Sequence, residues 1–160
     1  MPGELRLYLM RHGEAGSAPR DEVRELTQRG REHCRHNLLK ALPRLASAPA
    51  TVVSSPYSRA LQTAAIAHAI LGDGTNPPPL LVDDCLVPDA SPRAIADFIE
   101  GLGENAWPLV LVGHQPLLGA LLAWLTDRDD LAASVATASI SALDMVAFAR
   151  GGASLDWQIH

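Results

Sequence analysis

Short apolar runs alternate with longer segments of helical periodicity along this chain. Four of the runs are too short for helices and are predicted to be buried strands: Leu5–Met10, Thr51–Ser54, Leu80–Val82 and Pro108–Val112. A segment of helical spacing follows each run, although Gly13–Glu25 first forms a polar loop. This alternation favours a mostly parallel sheet with helices on both faces.

The predicted helices are bounded by residues with known positional preferences. Thr27 suits the N-cap of the first helix, and Pro43 marks or bends its end. The apolar stripe of that helix is predicted to consist of Leu38, Leu39, Leu42 and Leu45. Ser91 and Pro92 suit the start of a later helix, and Gly72–Pro79 is a loop rich in glycine and proline. Two further helices are predicted over about Ser58–Leu71 and Leu117–Leu125.

The end of the chain has the pattern of a β-hairpin. Ile140–Phe148 and Ser154–Ile159 are predicted strands joined at Gly151-Gly152. The sequence shows no internal repeat, linker or low-complexity segment, so we expect one domain over residues 1–160. The predicted fold class is α/β: a three-layer α/β/α sandwich with a mostly parallel central sheet and a C-terminal antiparallel hairpin.

Composition argues against several classes of protein. A hydrophobic content of 48% is typical of a globular chain, and a net charge of −5 argues against general binding to nucleic acid or to a membrane surface. Cys34 and Cys85 form no CxxC pattern, so we expect neither a disulfide nor a zinc site. The sequence shows neither a signal-peptide pattern nor an apolar run of membrane-spanning length, and we expect a cytoplasmic monomer.

Three motifs place arginine and histidine directly after predicted strands. They are Arg11-His12-Gly13, Ser55-Pro56-Tyr57-Ser58-Arg59-Ala60 and Gly113-His114-Gln115-Pro116. The carboxyl ends of parallel strands meet at one edge of the sheet, where open α/β sheets bind ligands. We therefore expect two arginines and two histidines to converge there. A metal-free phosphoryl-transfer site needs such groups: here they are Arg11, His12, Arg59 and His114.

These motifs occur in the order typical of a known family. The chain resembles the histidine phosphatase superfamily, also called phosphoglycerate-mutase-like, and within it the compact SixA-type phosphohistidine phosphatases. The matching segments are RHG at 11–13, RELT at 24–27 with Gly30, SPYSRA at 55–60, QTA at 62–64 and HQPLLG at 114–119. The lack of a large insertion after the second helix favours the SixA-type branch. The resemblance implies a phosphoglycerate-mutase-like fold.

The resemblance and the chemistry of the side chains suggest a role for each matching residue. His12 is the candidate nucleophile: one neutral ring nitrogen attacks phosphorus, while the backbone near Gly13 is expected to hold the other. Arg11 and Arg59 are the candidate phosphate clamp, because each guanidinium can donate two hydrogen bonds to phosphoryl oxygens. In the family the residue matching His114 contacts the phosphoryl group, so protonated His114 is expected to be a third donor.

Two features leave alternatives open. Arg24 matches an Arg-x-Leu-Thr motif of SixA-type proteins, which suggests substrate binding, but it is equally explained as an exposed arginine paired with Glu22 or Glu25. The glutamate that many larger family members use as a general acid has no clear equivalent. Candidates for that acid are Asp83, Asp84 and Asp89, each also explained as a solvated carboxylate, and Glu14, which directly follows the RHG motif.

The resemblance implies a metal-independent phosphatase that needs no cofactor. It would act on phosphorylated protein histidine through a phosphohistidine enzyme intermediate, in signal transduction, with a histidine phosphotransfer domain or a phosphocarrier as partner. An imidazole leaving group needs less acid assistance than an alkoxide, which fits the missing glutamate. The alternatives are a small-metabolite phosphomonoesterase and a non-catalytic phosphate-binding module. His33 and His36 lie one helical turn apart, and a solvated helix face explains them better than a metal site.

Overall fold

The computed structural model describes residues 5–72 and 74–160; position 73, within the predicted loop Gly72–Pro79, and positions 1–4 lie outside them. Over the described residues the chain forms six strands: β1 (Arg6–Arg11), β2 (Thr51–Ser54), β3 (Leu80–Val82), β4 (Leu109–Gly113), β5 (Ile140–Met145) and β6 (Ala153–Ile159). The same residues form four α-helices: α1 (Gln28–Ala41), α2 (Ser58–Leu71), α3 (Pro92–Glu100) and α4 (Leu117–Thr126). Short 3₁₀ helices occupy several loops, and one of them, Asp21–Val23, contributes to the site.

The sheet is mixed, as predicted. Its strand order is β3-β2-β4-β1-β5-β6, and the first four of these strands are mutually parallel. β5 runs antiparallel to β1 on one side and to β6 on the other. The predicted C-terminal hairpin is therefore confirmed, with β5 inside the sheet and β6 at its edge.

Helices cover both faces of the sheet and form a hydrophobic core on each. Successive residues of a strand point to opposite faces. Leu7 and Leu9 of β1 belong to the core under α3 and α4, whereas Tyr8 and Met10 belong to the core under α1 and α2. All four side chains are at most 1% exposed, which explains why the strand is continuously apolar. The three-layer α/β/α sandwich is confirmed.

Two helices begin at the predicted caps. Thr27 accepts a hydrogen bond from the Gly30 amide at the start of α1. Ser91 accepts one from the Ala94 amide at the start of α3, directly before Pro92. Across residues 5–72 and 74–160, none of the helices has the length and apolar character that a membrane span requires.

The apolar stripe predicted for α1 is partly wrong. Leu38 is fully buried, but Leu39 is 53% and Leu42 is 41% exposed. Leu39 points away from the core because successive helical residues are rotated by about 100°. Leu42 lies beyond the end of α1, in the 3₁₀ turn that contains Pro43, where the α-helical period no longer applies.

Hydrogen bonds to β4 bring the predicted motifs to one edge of the sheet. Arg11, the last residue of β1, pairs in register with Gly113 of β4. The His12 amide then donates to the Gly113 carbonyl at 3.1 Å, and the Ser55 amide donates to the Val112 carbonyl at 3.0 Å. The segments that leave β1 and β2 therefore start side by side, next to the segment that leaves β4.

The start of α1 packs directly on the backbone that follows His12. A Cβ atom at Gly30 would overlap the carbonyl oxygen of Glu14, and one at Gly13 would lie 2.8 Å from the Gly30 carbonyl oxygen. Close packing therefore explains Gly30, which belongs to the same matching segment as RELT. The contact sets the amino-terminal turn of α1 beside the first motif.

Candidate active site

The two ring nitrogens of His12 have different partners. Nδ1 lies 2.7 Å from the Gly13 carbonyl oxygen, which only accepts hydrogen bonds, so Nδ1 carries the proton. Nε2 therefore has the free electron pair, and it accepts a hydrogen bond from Arg59 Nε at 3.3 Å. The predicted backbone contact near Gly13 is present, and it fixes the tautomer of the ring.

The first turn of α2 holds Arg59 beside His12. Arg59 is the second residue of this helix and is 5% exposed. Thr63, one turn later, accepts a hydrogen bond from the Gly13 amide at 3.2 Å and donates one to the Arg59 carbonyl at 2.8 Å. The threonine of the QTA segment thus ties the loop that carries His12 to the helical turn that carries Arg59.

Asp21, which the sequence patterns do not distinguish, binds the outer nitrogens of Arg59. Arg59 Nη1 donates to the Asp21 carbonyl oxygen at 2.7 Å, and Nη2 donates to its carboxylate Oδ2 at 3.2 Å. The other carboxylate oxygen, Oδ1, accepts from Arg24 Nη1 at 3.1 Å. Hydrogen bonds from Arg24 and then from Arg59 lower the pKa of Asp21. One carboxylate therefore bridges two of the arginines expected to bind phosphate.

Arg24 combines features of both predicted alternatives. It forms a salt bridge, but with Asp21 rather than with Glu22 or Glu25. Its Nε also donates to a carbonyl oxygen of its own loop at 2.8 Å. At the same time it lines the cavity that contains His12. Arg24 is therefore part of the site, with its guanidinium already engaged by the protein.

Arg11 is the last residue of β1, and among the described residues its guanidinium has one hydrogen bond. Its Nη1 donates to the Val135 carbonyl at 3.1 Å. Its Nε is buried and has no hydrogen-bond partner among the described residues. Burial lowers the pKa of this guanidinium. A buried donor without a partner is costly, and an anionic ligand would satisfy it.

His114 follows β4 and is 1% exposed. Its Nε2 lies 2.8 Å from Ser55 Oγ, and its Nδ1 is buried without a hydrogen-bond partner within the described part of the chain. The centre of the His114 ring lies 5.0 Å from that of His12 and 5.2 Å from that of Tyr57. The SPYSRA segment thus supplies two neighbours of His114 as well as Arg59.

Both histidines of the site are neutral in the free protein. Burial, aided by the charges of Arg59 and Arg11, lowers the pKa of His12 to about 4. Burial, together with His12 and Arg59, lowers the pKa of His114 to about 3. In the free protein His114 is therefore neutral, chiefly because burial disfavours the charged ring. A bound anion would favour its protonation.

A cavity of about 320 Å³ opens beside His12. Its lining includes Arg11, Arg24 and, from α1, Arg29 and His33. The sequence pattern favours a solvated helix face for His33. In the structure this side chain instead borders the cavity. The predicted groups converge in the structure. His12 lies beside Arg59 of α2 and beside His114, which follows β4. Arg11 lines the same cavity as His12.

The candidate general acids occupy different places. Glu14 alone among the four lines the cavity, and its Oε1 accepts a hydrogen bond from Thr27 Oγ1 at 2.9 Å. Asp83 caps the 3₁₀ turn that follows β3. Asp84 and Asp89 are exposed. Glu14 is thus the only one of these carboxylates that borders the candidate nucleophile.

Neither cysteine is bonded to another group in a disulfide or a metal centre. Cys34 and Cys85 are buried free thiols, and burial raises the pKa of both. Among residues 5–72 and 74–160, no group of three or more His, Cys, Asp and Glu side chains is arranged to hold a metal ion.

Comparison with known families identifies the first half of the chain. The model of the histidine phosphatase superfamily (branch 1) matches residues 7–86, which is half of the 160 residues. This range contains Arg11, His12 and Arg59, whereas His114 lies beyond it. No curated protein sequence matches the chain significantly.

Solved structures are similar over nearly the whole chain. A protein of Nakamurella multipartitia assigned as the phosphohistidine phosphatase SixA shares 26% identity at a TM-score of 0.79, with 99% of this chain and 96% of that chain covered. The protein histidine phosphatase SixA in complex with tungstate shares 26% identity at a TM-score of 0.77, with 96% of each chain covered.

A more distant structure has the same fold. An Escherichia coli protein assigned as an α-ribazole-5′-P phosphatase shares 20% identity at a TM-score of 0.66, with 96% of this chain and 95% of that chain covered, and at this identity the likeness shows the fold alone. The family match and the full-length structural similarity agree with the order of the motifs. The chain belongs to the histidine phosphatase superfamily and is a phosphatase.

Proposed function

We propose that this phosphatase hydrolyses phosphohistidine on a protein, with His12 as the nucleophile. The proposal depends above all on one observation: the Gly13 carbonyl holds Nδ1–H, so the lone pair of Nε2 lies at the guanidinium of Arg59. A pKa of about 4 keeps this imidazole neutral at physiological pH. A neutral imidazole beside a phosphate-binding cation is suited to nucleophilic attack on phosphorus.

The proposed reaction has two displacements at phosphorus. In the first, the Nε2 lone pair of His12 forms an N–P bond while the bond from phosphorus to the substrate imidazole breaks, and the leaving imidazole takes a proton from solvent. In the second, water attacks phosphorus, the bond to Nε2 breaks, and inorganic phosphate leaves. Charge spreads over the equatorial oxygens in each transition state, so fixed hydrogen-bond donors supply most of the stabilisation.

Arg11, Arg59 and His114 are the proposed donors, with Arg24 beside them. Arg11 Nε and His114 Nδ1, both buried without a hydrogen-bond partner among the described residues, would each gain a phosphoryl oxygen as acceptor. The negative charge of the phosphoryl group would raise the pKa of His114 and favour its protonated form. His114 then becomes the third cationic donor when substrate binds.

The leaving group supports phosphohistidine as the substrate. Glu14 is the one candidate acid that lines the cavity, and its carboxylate is engaged by Thr27. An imidazole leaves more readily than an alkoxide and needs less acid assistance. The two SixA structures at 26% identity support the same substrate class. We propose a histidine phosphotransfer domain or a phosphocarrier as the partner.

A small phosphorylated metabolite is the second candidate substrate. The cavity of about 320 Å³ beside His12 has room for more than a phosphoryl group, as a metabolite site requires. Comparing the turnover of a phosphohistidine peptide with that of glycerol phosphate separates the two candidates.

Activity without a metal tests the proposed nucleophile. Wild-type protein is expected to release phosphate from a histidine-phosphorylated protein and from p-nitrophenyl phosphate in the presence of EDTA. His12→Ala removes the attacking nitrogen and is expected to lower kcat/KM by roughly 10³-fold or more. His36→Gln, at an exposed histidine of α1, is the matched control and should retain wild-type activity.

Two outcomes would contradict the proposal, one from this assay and one from the same assay with glycerol phosphate and a phosphohistidine peptide as substrates. Activity that survives in His12→Ala would exclude this residue as the nucleophile. Equal turnover of glycerol phosphate and a phosphohistidine peptide would exclude the proposed preference for a P–N bond.

Removing the carboxylate of Asp21 tests whether Asp21 competes with a bound oxyanion for Arg59. Asp21 binds the guanidinium groups of Arg59 and Arg24 in the free protein, so its negative charge opposes the binding of an oxyanion to them. Asp21→Asn is therefore expected to bind tungstate or inorganic phosphate about 3- to 10-fold more tightly, as measured by calorimetry at fixed ionic strength. Asp130→Asn, at an exposed carboxylate paired with Arg128, should leave the affinity unchanged. Weaker binding by Asp21→Asn would instead mean that Asp21 chiefly orients Arg59.

The neutral histidines predict a loss of stability in acid. Their ordinary pKa of 6.5 falls to about 4 for His12 and about 3 for His114 on folding. Below pH 6.5 the unfolded chain therefore binds more protons than the folded one, so the free energy of unfolding decreases as the pH falls toward 4. We expect a slope on the order of 1 kcal/mol per pH unit in urea unfolding. His114→Gln should reduce the slope and exposed His36→Gln should not; an unchanged slope in His114→Gln would refute this origin.

A further inference from the structure

Two basic side chains of α1 line the cavity but have no part in the proposed chemistry. Arg29 and His33 are four residues apart, so they lie on the same face of the helix. Both border the cavity that contains His12. Neither side chain has a hydrogen-bond or ion-pair partner among the described residues. In contrast to Arg24, they are available to an external ligand.

The wall of the cavity carries net positive charge. Arg11, Arg24 and Arg29 each contribute one positive charge, and Glu14 is the one carboxylate among the described residues that line it. A hydrogen bond from Thr27 Oγ1 ties the Glu14 carboxylate to the N-cap of α1. Arg29 is the second residue of this 14-residue helix, whose amino-terminal dipole adds to the attraction for anions.

A phosphoryl group uses only part of this charge. In the proposed reaction it is bonded to Nε2 of His12, and Arg11 and Arg59 are its guanidinium donors. Arg29 and His33 remain unoccupied, yet they border the same cavity of about 320 Å³. A second anionic group on the same substrate would reach them without leaving the cavity.

We infer that Arg29 and His33 form a second anion-binding subsite, which selects phosphorylated substrates that carry a carboxylate close to the transferable phosphoryl group. This inference rests on the proposed function, because it takes His12 as the point of transfer. The guanidinium of Arg29 can donate two hydrogen bonds to a carboxylate, and the ring of His33 can donate one. The carboxylate belongs either to an acidic residue beside a phosphohistidine or to a small phosphorylated molecule.

Binding to His12→Ala protein tests the subsite without interference from turnover. Calorimetry compares two matched pairs of ligands. One pair is a phosphohistidine peptide with Glu beside the phosphohistidine and the same peptide with Gln; the other is 3-carboxyphenyl phosphate and its carboxamide. We expect the carboxylate member of at least one pair to bind about tenfold more tightly. The pair that shows this preference identifies the source of the carboxylate.

Variants at Arg29 test whether the preference comes from this subsite. Adding Arg29→Gln should remove most of the tenfold preference, and His33→Gln should remove part of it. Arg29→Lys, which keeps the positive charge, should retain part of the preference. Arg93→Gln, at an exposed arginine of α3 paired with Asp97, should retain all of it.

Equal binding of both members in both pairs would overturn the subsite, and so would a preference that persists in Arg29→Gln. Turnover of the same peptides by the wild-type protein tests the proposed function separately. Hydrolysis of the peptides without any carboxylate preference would refute the subsite and leave the proposed function standing. A carboxylate preference in binding, without hydrolysis of any peptide, would refute the proposed substrate and leave the subsite standing.

Discussion

Two backbone hydrogen bonds to β4 determine the geometry of the site. The His12 amide donates to the Gly113 carbonyl, and the Ser55 amide donates to the Val112 carbonyl. The chain segments that leave β1 and β2 are thereby fixed to the strand between them, which itself continues into His114. A slip in register would expose residues of strands that are buried on both faces, so the hydrophobic cores hold the hydrogen bonds in place. The placement of His12 is thus a consequence of the packing of the whole sheet.

The second constraint is the excess of positive charge that this edge of the sheet brings together. Arg11 and Arg59 lie beside two histidines that burial keeps neutral, and Asp21 offsets the charge only from an exposed position. Buried donors without partners reduce the stability of the folded protein. An oxyanion would relieve this cost, which is the expected arrangement for a site whose ligand is phosphoryl.

Most of the framework could be predicted from the sequence because local patterns determine it. Continuous apolar runs mark strands buried on both faces, and the caps at Thr27 and Ser91 depend on neighbouring residues alone. The edge at which Arg11, His12 and the other motif residues meet follows from the common direction of the strands. The sequence does not reveal that Leu39 is exposed. A leucine on the solvent side of a helix cannot be distinguished in the sequence from a leucine on the buried side.

Other features of the site depend on contacts that no local pattern encodes. Asp21 contacts Arg59 because of the path of its loop and the short 3₁₀ helix Asp21–Val23. The sequence does not favour Asp21 over its neighbour Glu22, which is also a carboxylate. His33 borders the cavity because Gly30 and Gly13 allow α1 to pack on the first motif. The neutral state of His114 results from burial beside other basic groups, which are distant in sequence.

Trapping the phosphorylated enzyme tests the central claim most directly. Wild-type protein mixed with a phosphohistidine substrate is quenched in alkali, where a P–N bond survives, and the site of phosphorylation is located by mass spectrometry. The account predicts one acid-labile phosphoryl group on His12, absent from His12→Ala protein. A phosphoryl group on any other residue would contradict it.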